Sequence, residues 1–160
     1  MSTNALTVTA EPGTPFIDTV REFDATPAQV FRAHVDRDLV GQWLGPRGYE
    51  MRIDEFDART GGSYRYTHKD GDGNEYGFRG CFHAVDEGER LTQTFEFEGA
   101  PGHVSLETAT FEDIGDGRTR IRVRSAFQSV EDRDAMAATG MEEGMSSAYD
   151  QLEELLASQS

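Results

Sequence analysis

Residues 119–157 read TRIRVRSAFQSVEDRDAMAATGMEEGMSSAYDQLEELLA, and the hydrophobic period changes inside this stretch. Ile121, Val123 and Phe127 alternate with Arg120, Arg122 and Arg124, the period-two signature of a strand with one buried face. From about Val130 the spacing becomes three and four, with Ala137, Met141, Met145, Ala148, Leu152 and Leu155 on one stripe, which predicts a single helix to Ala157. A last strand running into a long terminal helix implies a sheet that packs its inner face on that helix. The Arg row then faces solvent and should pair with acidic neighbours across the ladder, such as Glu107 or Glu112.

Working back from this stretch, strand patterns succeed one another. They run from Tyr49 to Phe56, Ser63 to His68, Tyr76 to Val85, Leu91 to Glu98 and Val104 to Glu112. Turn residues punctuate them: Thr60-Gly61-Gly62, Asp70 to Asn74, Asp86-Glu87-Gly88 and Gly115-Asp116-Gly117. One further strand, Phe16 to Phe23, precedes two short helices. The first opens at Thr26-Pro27 with Gln29 placed to complete a capping box. The second opens at Asp36, carries Leu39 and Trp43 on one face, and stops at Gly45-Pro46. The expected architecture is α+β: a curved antiparallel sheet of six or seven strands around a long C-terminal helix, with two short helices after the first strand. Residues 1–14 read as a flexible lead-in and 15–158 as one domain.

Composition limits the function classes. A chain of 160 residues buries about 70% of its unfolded surface. A formal charge of −15 argues against nucleic acid and anionic membrane surfaces as partners. The sequence holds no run of about 18 apolar residues, so no membrane insertion is expected. No secretory signal is visible, and Cys81 stands alone, which together read as a cytoplasmic protein with a buried, unreactive thiol.

Chemistry-bearing motifs are sparse. His34, His68, His83 and His103 lie on separate segments without metal-ligand spacing, so no metal site is assigned. Asp70, Asp72 and Asn74 imitate the start of a calcium loop, but Glu75 stands where that loop needs Gly. No nucleophile motif surrounds any serine, no cofactor is expected, and no catalytic residue is assigned. Asp57 and Arg59 are placed to pair beside the Gly61-Gly62 turn. The aromatic share is the strongest functional signal. Trp43, Tyr64, Tyr66, His68, Tyr76, Phe78, Phe82, Phe95 and Phe97, facing Met141 and Met145, are the candidate lining of a cavity for a small apolar or aromatic molecule.

Several local words stand in one order: Arg21-Glu22-Phe23-Asp24-Ala25, Val30-Phe31, Trp43-Leu44-Gly45-Pro46, Gly61-Gly62-Ser63-Tyr64, Gly80, Glu89-Arg90-Leu91 and Gly117 to Ile121. Together they resemble the START-like (SRPBCC) superfamily, in the branch named for heat-shock-protein ATPase activator homologues. The resemblance covers residues 16–157 and implies the helix-grip fold. It also implies a cavity for hydrophobic ligands, or a cyclase- or aromatase-like enzyme in which His68 and a tyrosine act as acid and base. A third reading is a protein-interaction module using Glu131, Asp132, Asp134, Glu142 and Glu143. A chaperone partner is not expected, since no second domain precedes Phe16. An exposed sheet edge would allow a homodimer. Where family members often carry Gly-Trp, this chain has Gly144-Met145.

Overall fold

The computed structural model describes residues 4–159. The short strand β1 (Thr7–Thr9) pairs with β2 (Phe16–Phe23), whose residues alternate strictly between buried and half-buried. Thr26 then caps α1 (Pro27–Val35): its Oγ1 accepts from the Gln29 amide at 3.3 Å, and the Gln29 side chain accepts from the Thr26 amide at 2.9 Å. Asp36 caps α2 (Arg37–Trp43) in turn, its Oδ1 accepting from the amides of Asp38 and Leu39. Both helices bury one face, and the Trp43 indole donates to the Ala33 carbonyl at 2.8 Å, locking the pair together.

Six antiparallel strands follow as a meander: β3 (Glu50–Phe56), β4 (Ser63–Lys69), β5 (Glu75–Asp86), β6 (Arg90–Phe97), β7 (Val104–Gly115) and β8 (Arg118–Ala126). β2 joins the free side of β8, so the order across the sheet is β1-β2-β8-β7-β6-β5-β4-β3. Register shifts at Ile53/Glu55, Phe82/Ala84 and Asp113/Gly115 mark irregular rungs. Such bulges bend a strand and increase its twist, and here they accompany the sheet's curl around the C-terminal helix. The sheet has eight strands where six or seven were expected. The extra one is β1, three residues inside the segment read as a lead-in.

The C-terminal region also differs from expectation. It forms two helices, α3 (Val130–Ala137) and α4 (Met141–Ser158), separated at Gly140, whose φ of 81° lies in the left-handed region. The apolar stripe runs through the break because Ala137 and Met141 keep helical spacing, but the backbone between them does not. α4 buries Ala148, Tyr149, Leu152 and Leu156 against the sheet. Arg21 of β2 reinforces this contact from a buried position: Nη1 lies 3.2 Å from Asp150 and Nη2 3.6 Å from Glu153, with the guanidinium 4.9 Å from the Phe23 ring centre.

The outer face carries the expected Arg row. Arg120 pairs with Glu22 at 2.8 Å, Arg122 with Glu112 at 2.7 Å and Arg124 with Asp18 at 2.8 Å. Arg59 and Asp57 also pair, at 2.8 Å. Glu107 is not part of the row. It lies five residues from Glu112, and an odd separation puts it on the opposite, concave face. Cys81, expected to be buried, is exposed, because its inward neighbour is the buried Phe82.

Candidate functional site

A cavity of about 420 Å³ lies between the concave face of the sheet and helices α1, α2, α3 and α4. The sheet contributes alternate residues of successive strands, which the pleat turns to one side. Tyr64, Tyr66 and His68 come from β4, Phe78 and Phe82 from β5, Leu91, Gln93 and Phe95 from β6, and Ser105, Glu107 and Ala109 from β7. Trp43 of α2, Met136 of α3, and Met141, Met145 and Tyr149 of α4 face them. Ring planes stack along the wall: Tyr64 on Tyr66 at 5.8 Å, Tyr66 on Phe78 at 5.3 Å and Phe78 on Phe95 at 5.4 Å between centroids. Trp43 and Tyr149 stack at 6.0 Å on the helical side.

The loop after α2 closes one flank. Gln151 of α4 donates to the Gly45 carbonyl at 2.7 Å, and the Arg47 amide donates to Ser147 Oγ at 3.0 Å. Gly45 has a φ of 113°, and a Cβ there would stand 2.7 Å from His68 Nε2. Only glycine lets this loop descend onto the imidazole.

Burial dominates the electrostatics. The pKa values of Tyr64, Tyr66 and Tyr149 are raised by burial, so their hydroxyls stay protonated. His34 is pushed down to about 4 by burial, although Nδ1 lies 2.8 Å from the Val30 carbonyl oxygen. His68 is also lowered by burial, opposed by its bond to the Leu44 backbone; its Nε2 has no partner among the described residues. Glu107 is raised by burial, opposed by hydrogen bonds from Ser125 and Ser105. Its Oε2 is shielded from solvent and has no hydrogen-bond partner among the described residues.

Of the residues the sequence singled out, Trp43, Tyr64, Tyr66, His68, Phe78, Phe82, Phe95, Met141 and Met145 line the cavity. Tyr76 and Phe97 do not. Tyr76 donates to Asp70 Oδ2 at 3.1 Å at the end of its strand, and the Phe97 ring stands behind Phe78, 5.3 Å between centroids. Both sit on strand rungs beyond the cavity wall. The polar part of the lining, Gln93, Ser105, Glu107 and Ser125, lies outside the aromatic set expected from the sequence. Among the acidic helix residues, Asp132 lies 3.0 Å from His103 and Asp134 pairs with Arg133 at 2.8 Å. No group of three His, Cys, Asp or Glu side chains among the described residues is arranged to hold a metal, and no helix among them is long and apolar enough to cross a membrane.

A curved antiparallel sheet closed on a C-terminal helix around an aromatic cavity defines the START-like, helix-grip class. Within it, the chain belongs to the Activator of Hsp90 ATPase homolog 1-like protein family, which it matches over residues 24–157. Solved structures agree. A Rhodobacter sphaeroides protein is 27% identical, with a TM-score of 0.87 over 96% of this chain and 99% of that one. An Arthrobacter aurescens protein is 27% identical, with a TM-score of 0.86 over 95% and 91%. Protein Ms6760 from Mycobacterium smegmatis is 26% identical, with a TM-score of 0.84 over 94% and 95%. No curated protein matches the chain.

Proposed function

We propose that the protein binds a small apolar or aromatic molecule in this cavity, as a carrier or sensor. The observation that carries the reading is the cavity itself: about 420 Å³ with a largely aromatic and aliphatic wall and a short polar patch. That size and polarity match sites that enclose small organic ligands. Binding proceeds by removal of ligand surface from water, about 25 cal/mol per Å² of apolar area. The stacked rings of Tyr66, Phe78 and Phe95 supply flat faces for an aromatic ligand.

Titration with an apolar fluorescent dye tests the reading. Phe78→Ala or Phe95→Ala should weaken dye binding at least fivefold, while Arg122→Ala, on the outer face, leaves it unchanged. Equal effects at inner and outer positions would contradict the site.

A further inference from the structure

Glu107 sits in the first half of β7, opposite Gln93 of β6 and Ser125 of β8, so three polar side chains form one rung across the central strands. All three line the cavity, as does Ser105 two residues earlier. Burial raises the Glu107 pKa and favours the neutral acid, and the bonds from Ser125 and Ser105 oppose it; its Oε2, shielded from solvent, has no hydrogen-bond partner among the described residues. Among the described residues no cationic side chain of the lining is there to hold the carboxyl ionised. No Lys or Arg lines the cavity among the described residues. The other titratable groups there are Tyr64, Tyr66 and His68 of β4, His34 of α1 and Tyr149 of α4, and burial favours the neutral form of each.

An acid placed in an aromatic cavity without a cationic neighbour is costly in the empty protein. It becomes favourable when a bound molecule brings the positive charge. We infer that the ligand is a small aromatic amine bound as its ammonium ion, with the charge on Glu107 and the ring against the stacked aromatic wall. This assignment rests on the reading of the cavity as a ligand site. The surroundings favour a cation in two further ways. Tyrosine and tryptophan faces attract an ammonium group, and a net charge of −15 concentrates cations around the protein while repelling anions.

Three probes of nearly one shape test it: naphthylethylamine, naphthylethanol and naphthylacetate, titrated calorimetrically near neutral pH. The amine should bind at least tenfold more tightly than the alcohol, and the acetate most weakly. Glu107→Gln should keep the alcohol affinity within about twofold and erase the preference for the amine. The comparison within the wild-type protein stands even if that variant folds poorly. Equal affinity for amine and alcohol, or a preference that survives Glu107→Gln, would overturn the amine assignment and leave the cavity reading intact. Failure of both amine and alcohol to bind would overturn the two together.

Discussion

Tyr64 lies across its strand partner Gly80 and thereby reaches the Thr94 carbonyl oxygen, 2.6 Å away. A Cβ at Gly80 would stand 2.6 Å from the tyrosine oxygen and 2.0 Å from the Thr94 oxygen. The missing side chain therefore sets how a buried phenol finds its acceptor beyond the intervening strand, and it fixes the first ring of the aromatic wall.

Gly80→Ala should consequently cost about 3 kcal/mol, since neither the backbone carbonyl nor the packed ring can retreat freely. Tyr64→Phe, which removes only the hydrogen bond, should cost about 1 kcal/mol. Urea unfolding measures both. A Gly80→Ala midpoint equal to wild type would show that the close approach is not needed.

The grip of α4 on the sheet depends on fully buried side chains. Leu152 has 0% exposure, and its truncation to Ala should cost about 3 kcal/mol through lost burial and the void left behind. Arg122→Ala should cost about 0.5 kcal/mol or less, because its 2.7 Å pair with Glu112 is solvent-exposed. Comparable losses in the two variants would contradict the assignment of the inner and outer faces.

Acid should loosen the fold through His34. Its pKa is about 4 in the folded protein against an ordinary 6.5, so the unfolded chain binds the extra proton. The stabilisation is fully present above pH about 6.5 and is lost as pH falls toward about 4, a change on the order of 3 kcal/mol. His34→Leu should flatten the unfolding free energy across that window. An unchanged pH slope in the variant would show that His34 does not govern it.

The sequence made the strands legible because inner and outer residues alternate along most of their length, as Ile121 and Val123 do with the arginines between them. The cavity lining followed for the same reason. What escaped was decided by features that period alone does not carry. Gly140 interrupts a stripe whose spacing is otherwise helical, so one helix was expected where two exist. Tyr76 and Phe97 share the inner face yet lie past the cavity wall, a matter of strand length and curvature. Cys81 was assigned from its residue type, although its neighbour Phe82 already occupied the inner face. Glu107 was the avoidable miss: Ser105, Glu107, Ala109 and Phe111 alternate together, and parity alone separates Glu107 from Glu112.

Met145 of α4 lines the cavity opposite the aromatic wall of the sheet. Met145→Trp should therefore shrink the cavity and weaken dye binding at least threefold. The protein should remain folded, because the position faces open volume. Tighter binding would mean that the ring adds a stacking surface instead of filling the space.

Native mass spectrometry of the freshly purified protein, followed by denaturing extraction, shows whether the cavity holds a ligand. A filled cavity gives a discrete added mass that disappears on denaturation, with an aromatic compound in the extract. A bare protein mass, with no uptake of an apolar or amine probe, would contradict the ligand-binding role.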